Sequence, residues 1–128
     1  MIKENIVSLW LGNFESEDRL MEYTTEEYTE DGDGIASEFC KEFFEGDEPY
    51  EHDFLECFIT TRSNDIGVLL EGCSYDESVI KALSEALGGC VDEEYNAVIL
   101  IYDFEMDGIH LKSDMKMKYI ASVPYEKI

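Results

Sequence analysis

The stretch Asn96-Ala97-Val98-Ile99-Leu100-Ile101-Tyr102-Asp103-Phe104 decides how the rest of the chain is read. Residues 97–102 run without a polar break and are rich in Val, Ile and Leu. The run is too short for a bilayer, which takes roughly 20 apolar residues. At this length it predicts a strand buried on both faces. Asp103 follows at once, where the strand runs out into water. The remaining chain must supply neighbours for this strand and covers for its faces.

Downstream, Asp107-Gly108 is a hairpin turn signal. Met115, Met117, Tyr119, Ala121 and Val123 then alternate with Lys116, Lys118, Ile120 and Ser122, up to Pro124. That period predicts an antiparallel strand with one wet face, its lysines discouraging edge-to-edge pairing. Upstream, Ser74 and Glu77 have capping-box spacing ahead of Val79, Ile80, Leu83, Ala86 and Leu87, and Gly88-Gly89 supplies the helix stop. The secondary structure of residues 50–72 stays open: 54–59 suits a short helix or a strand, and 65–71 leans to helix.

Near the beginning, residues 5–11 predict a strand with Val7, Leu9 and Leu11 on one face and Ile6, Ser8 and Trp10 on the other. Gly12-Asn13 ends it. Ser16 is placed to cap a helix whose first turn holds Glu17 and Asp18, with Leu20 and Met21 turned inward and an end near Tyr23. Residues 24–34 predict a solvated loop. Asp33 then caps a second helix with the stripe Ile35, Ala36, Phe39, Cys40, Phe43 and Phe44, stopped by Gly46 and Pro49. The sum is a single α+β domain over 1–128. It has a small sheet of three to four mostly antiparallel strands with about three to four helices packed on it.

With 128 residues, 45% of them hydrophobic, and 8 Tyr and 7 Phe, the chain is not disordered. Its charge is lopsided: 31 acids against 9 bases, a net of −22. Residues 13–53 hold 16 of the acids and only two bases, Arg19 and Lys41. Such a chain repels phosphate backbones and anionic lipid, which sets aside nucleic acid and membrane as partners and favours a basic protein. Lys3 and Glu4 precede a short run that Gly12 ends, so the first residues are not expected to act as a secretion signal. The four cysteines, Cys40, Cys57, Cys73 and Cys90, contain no C-x-x-C pair and predict free thiols of a cytoplasmic protein.

The chemistry of catalysis is not signalled. Asp31-Gly32-Asp33-Gly34 looks like a calcium loop, but with Gly34 at the glycine position the closing ligand falls on Cys40 and the first on Thr29. There is no nucleophile motif and no phosphate loop. His52 and His110 lack metal-ligand spacing. The expectation is a protein that is not an enzyme and carries no cofactor or metal.

Trp10-Leu11-Gly12-Asn13-Phe14, followed by Ser16-Glu17, resembles the opening of the immunity protein 22 family. Tyr23, Asp53-Phe54, Ser74-Tyr75 and Tyr102-Asp103 fit the same pattern, so the resemblance spans nearly the whole chain. It implies a bacterial immunity protein that neutralises the toxin domain of a polymorphic toxin system. Trp10, Gly12 and Asn13 have a sufficient role in the fold, as an aromatic on a strand and a turn that aims a helix.

The expected function is therefore binding of a cognate toxin domain, a basic one with a nuclease among the candidates, by surface complementarity. The alternatives are an acidic nucleic-acid mimic that inhibits DNA-binding proteins, or a small metal-binding domain built on His52, His110 and nearby acids. The expected state is a monomer or weak homodimer. The residues expected to meet the toxin are Glu26, Glu27, Tyr28, Glu30, Asp31, Asp33, Glu45, Asp47 and Glu48, because acids speed encounter with a basic surface and neighbouring tyrosines can anchor it.

Overall fold

A strand as apolar as residues 97–102 needs a neighbour on each edge and a cover on each face, and it has both. The computed structural model describes residues 1–106 and 116–127. In chain order the elements are β1 (Ile2–Gly12), α1 (Glu17–Thr24), β2 (Glu27–Tyr28), β3 (Gly34–Ile35), α2 (Glu38–Phe43), a 3-10 turn (His52–Phe54), β4 (Leu55–Asp65), α3 (Ile66–Leu70), α4 (Asp76–Leu87), β5 (Cys90–Phe104) and β6 (Met117–Pro124). The four long strands form one antiparallel sheet in the order β4-β5-β1-β6, and β2 pairs with β3. The fold is α+β, with four α-helices among the described residues. The central pair is in register at Leu9–Leu100 and Trp10–Ile99.

Alternation along β5 feeds two cores. Val98, Leu100 and Tyr102 join Val7, Leu9 and Leu11 and are covered by Ile66, Leu69 and Leu70 of α3 and Val79 and Leu83 of α4. Ala97, Ile99 and Ile101 join Trp10 and are covered by Leu20 and Tyr23 of α1 and Phe39 and Phe43 of α2. The second core is aromatic: the Trp10 ring meets Phe39, Phe43 and Tyr119 at centroid separations of 5.2, 5.9 and 5.4 Å. Separations of this size are those favoured by aromatic pairs.

Several local expectations change. Ser16 caps α1 as its sequence suggests, accepting from the Arg19 amide, and Leu20 is buried, but Met21 lies on the exposed side. Residues 24–34 are an exposed hairpin, β2–β3, with Thr29 accepting from Asp33 and Gly32 across its turn. Asp33 does not cap the second helix. Ser37 does, accepting from the Cys40 amide, and Ile35 is exposed on β3 outside the expected stripe. Ser74 is not a cap either; it turns to Glu56, and the residue preceding α4 is Tyr75 in the left-handed region. The open region 50–72 becomes the 3-10 turn, β4, and the short helix α3 capped by Asp65.

In β6 the alternation is interrupted. Leu9 faces Ala121 while Trp10 faces Tyr119, so Ile120 is the extra residue of a bulge. Because side chains alternate along a strand, one extra residue transfers everything on one side of it to the other face. Met117 and Tyr119 accordingly reach the aromatic core, whereas Ala121 and Val123 reach the core beneath α4. Asp107-Gly108, His110 and Met115 lie outside the described residues.

The opening motif has a steric explanation. Gly12 ends β1 where it passes β6, and a Cβ there would collide with Met117 Sδ and lie 2.7 Å from the Lys116 carbonyl oxygen. Asn96 then fixes the turn, donating to the Phe14 carbonyl at 2.8 Å and accepting from the Phe14 amide at 2.9 Å. Gly12→Ala is expected to destabilise the protein by about 1–3 kcal/mol, because the obstacle includes backbone. A urea midpoint unchanged from wild type would refute that account.

Candidate partner-binding site

The acids of residues 13–53 fold into two neighbouring groups. Glu26, Glu27, Tyr28, Glu30, Asp31 and Asp33 all lie on the β2–β3 hairpin or the segment leading to it, and all are exposed. Tyr28 is 69% exposed among these acids. Glu45, Asp47 and Glu48 are exposed on the loop after α2, which leaves the helix through Glu45 and Gly46 at positive φ. The structure brings the two groups together at one point: Glu26, Asp47 and Glu48 line a single small cleft of about 280 Å³. Glu27 lies on another cleft, of about 860 Å³, where Arg19, Lys41 and Lys116 sit among Glu15, Glu22 and Glu38. The acids 30, 31 and 33 stand apart at the hairpin turn.

A second site lies where β4 begins and β5 ends, and residue types alone do not single it out. It is a cleft of about 740 Å³, with Phe54, Glu56, Tyr75, Tyr102, Asp103 and Tyr125 prominent in its lining. Three tyrosines meet one another edge-on or tilted, with centroid separations of 5.9 Å for Tyr75–Tyr102, 5.9 Å for Tyr75–Tyr125 and 5.7 Å for Tyr102–Tyr125. Tyr102 and Tyr125 are buried, whereas Tyr75 and Phe54 remain 39% and 40% exposed at the mouth. The sequence held one signal of this place. Asp53-Phe54, Ser74-Tyr75 and Tyr102-Asp103, three of the pairs that resemble the immunity protein pattern, all converge on it.

Two carboxylates are fixed in the cleft by different means. Glu56 accepts from the Tyr102 hydroxyl at 2.6 Å, the Ser74 amide at 3.1 Å and the Ser74 hydroxyl at 3.4 Å. Every one of these donors is neutral. Asp103 accepts from the Asn5 amide and the Tyr125 hydroxyl, each at 2.9 Å, and from Lys127 Nζ at 2.6 Å. Asp103 and Asn5 both have positive φ, at 54° and 64°, where the register of β1 on β5 shifts. Asp and Asn tolerate that region, so the side-chain bond between them holds a bulge closed.

The titration of these groups follows from their surroundings. Burial of Asp103 works against its charge, but Lys127, the Asn5 amide and Tyr125 overcome it and hold the carboxyl below the usual Asp range. Burial first, and Glu56 second, push the Tyr102 hydroxyl far up, so it keeps its proton and remains a donor to Glu56. Beneath them burial, reinforced by Glu56, pushes the Cys73 thiol up to about 12, which leaves it unreactive. His52 stands at the rim, 3.9 Å from Glu48. Among the described residues no group of three or more His, Cys, Asp or Glu is arranged to hold a metal ion, and no helix is long and apolar enough to cross a membrane.

The described residues thus present an exposed acidic hairpin and a cleft with aromatic side chains at its mouth on one α+β scaffold. The family model for Immunity protein 22 matches residues 7–126, and the chain belongs to that family. No curated protein and no solved structure matches it.

The side chain of Asp103 is 12% exposed, so its loss should be felt. Asp103→Asn keeps the backbone conformation accessible and removes the charge. It is expected to cost about 1.5–3 kcal/mol at pH 7, as for hydrogen bonds to charged groups. Because the folded pKa is depressed, this stability is present above the unfolded value of about 4 and is lost as pH falls through the lower folded value. Urea denaturation at pH 7 and pH 3, on either side of the isoelectric point of about 4.1, should show a smaller gap between mutant and wild type at the lower pH. A gap that does not change with pH would show that the Asp103 charge is not what matters.

Proposed function

We propose that this immunity protein, a single domain working in the cytoplasm, binds a cognate toxin domain of a polymorphic toxin system. It blocks that domain by surface complementarity and performs no chemistry of its own. Family membership carries the role. The observation that supports the mode of binding is the exposed acidic hairpin, with Glu26 meeting Asp47 and Glu48 at one cleft. A surface of this sign is suited to a basic toxin, and a nuclease, whose own cleft must attract phosphate, is the class of enzyme it would fit. Encounter is accelerated by complementary charge, while desolvated anchors such as Tyr28 set the lifetime of the complex.

The experiment is co-expression with the toxin domain encoded beside the gene, scoring cell survival, followed by association kinetics at low and high salt. The combined variant Glu26→Gln, Glu27→Gln, Asp47→Asn and Glu48→Gln is expected to slow association about ten-fold at low salt and to flatten its salt dependence. An unchanged rate and salt slope in a variant that still rescues would move the interface away from the hairpin. Loss of rescue by the wild-type chain would remove the immunity role for this toxin.

A further inference from the structure

The cleft between β4 and the end of β5 is equipped for a ligand that the acidic hairpin does not explain. Glu56 is a half-buried carboxylate held in place only by neutral donors, and among the described residues no lysine, arginine or histidine pairs with it. A carboxylate offers about four acceptor positions. Oε1 takes two of the observed bonds, from Tyr102 and the Ser74 amide, whereas Oε2 takes one, from the Ser74 hydroxyl. One position on Oε2 is therefore left for a donor from outside.

The same cleft discriminates among donors. Its mouth carries the exposed rings of Tyr75 and Phe54 and the exposed thioether of Met21. Asp53 adds a further negative charge, while the one lysine in the lining, Lys127, is already committed to Asp103. A flat cation satisfies all of this together: it stacks on an aromatic ring and donates in its own plane to a carboxylate. A neutral group leaves the charge of Glu56 and Asp53 unbalanced, an anionic group is repelled, and an ammonium lacks the planar face.

We propose that this cleft receives an arginine side chain of the toxin domain, its guanidinium bonded to Glu56 and stacked on Tyr75. The assignment rests on the immunity role for the identity of the partner, but the chemistry of the cleft is testable without the toxin. Glu56 is set in advance by Tyr102 and Ser74, so binding needs little rearrangement of this side. The acidic hairpin would govern encounter, and the cleft would govern dissociation.

Two arms separate failure of the cleft from failure of the immunity role. In the first, the isotope-labelled full chain is titrated with N-acetyl-argininamide and, separately, with its citrulline analogue, which keeps the shape and lacks the charge. Saturable amide shifts confined to residues 53–57, 74–76 and 102–103 are expected with arginine, absent with citrulline and lost in Glu56→Gln. Shifts spread over the hairpin, equal shifts with citrulline, or no shift at tens of millimolar arginine would overturn the assignment.

In the second arm, Glu56→Gln and Tyr75→Leu, each first shown by thermal melting to be folded, are tested against the toxin domain encoded beside the gene. A loss of affinity of ten-fold or more, carried by faster dissociation at unchanged association, is expected for Glu56→Gln. Equal affinity for both variants and wild type would reject the cleft as the seat while leaving the immunity role intact. Should the wild-type chain fail to bind that toxin, the immunity role falls for that pair, and the arginine titration still decides what the cleft recognises.

Discussion

Everything in this fold depends on β5 being apolar on both sides. A strand with one wet face needs one layer of helices; a strand carrying Val98, Leu100 and Tyr102 on one face and Ala97, Ile99 and Ile101 on the other needs two. The pairs α1–α2 and α3–α4 answer that need from opposite sides. Each buried aliphatic side chain stabilises the folded state by roughly 1.5–3 kcal/mol relative to exposure, so leaving either face open would be prohibitive for a domain of this size. β1 must match the same demand, and its Val7, Leu9 and Leu11 against Trp10 do so. Ser8 is the polar exception, and it is tolerated because it donates to the Phe104 carbonyl at 2.7 Å and shares a hydroxyl contact with Ser122 at 2.6 Å.

The two candidate binding surfaces lie at the margins of this burial. β5 is buried through Tyr102, and then Asp103 turns the backbone through the left-handed region. Phe104 beyond it is buried again, in the aromatic core, and the start of β4, the residue preceding α4 and the C-terminal segment meet around an open aromatic cleft. The other surface is the hairpin β2–β3, which adds nothing to either core except through the short path to α2. Being free of packing duty, it can hold a density of acids that would be intolerable inside, and the self-repulsion of a −22 chain is spread into water rather than into the core. The two surfaces thus differ in kind. One is a charged rim with long reach, while the other is a preset pocket with short reach.

Much of the fold was legible because it rests on local periodicity. The double-faced strand, Ser16 as a cap, the Phe39–Phe43 stripe and the Gly88 stop are all rules about neighbours in sequence, and the structure contains them. Where two local signals competed, the sequence did not arbitrate. Asp33 and Ser37 are both sound caps, and the choice fell on Ser37 because Thr29 draws Asp33 into the hairpin. Ser74 and Glu77 have the spacing of a capping box, but Glu56, on a strand 18 residues earlier, takes the Ser74 side chain. The bulge at Ile120 has no signature in its own segment. It exists because β6 must present Tyr119 to Trp10 and Val123 to Val7 at once.

By itself, then, the sequence determined the α+β class, the central strand, the acidic segment and, through its short motifs, the family. These depend on composition and on spacings of a few residues. Only the tertiary structure decided that the helices divide between two faces, that Glu26 lies beside Asp47 and Glu48, and that Glu56, Tyr75 and Tyr102 share one cleft. Those juxtapositions join residues up to 46 positions apart, as in the bond from Tyr102 to Glu56. They are fixed by the order of strands in the sheet, which is set by the simultaneous burial of both faces of β5 and by no local rule.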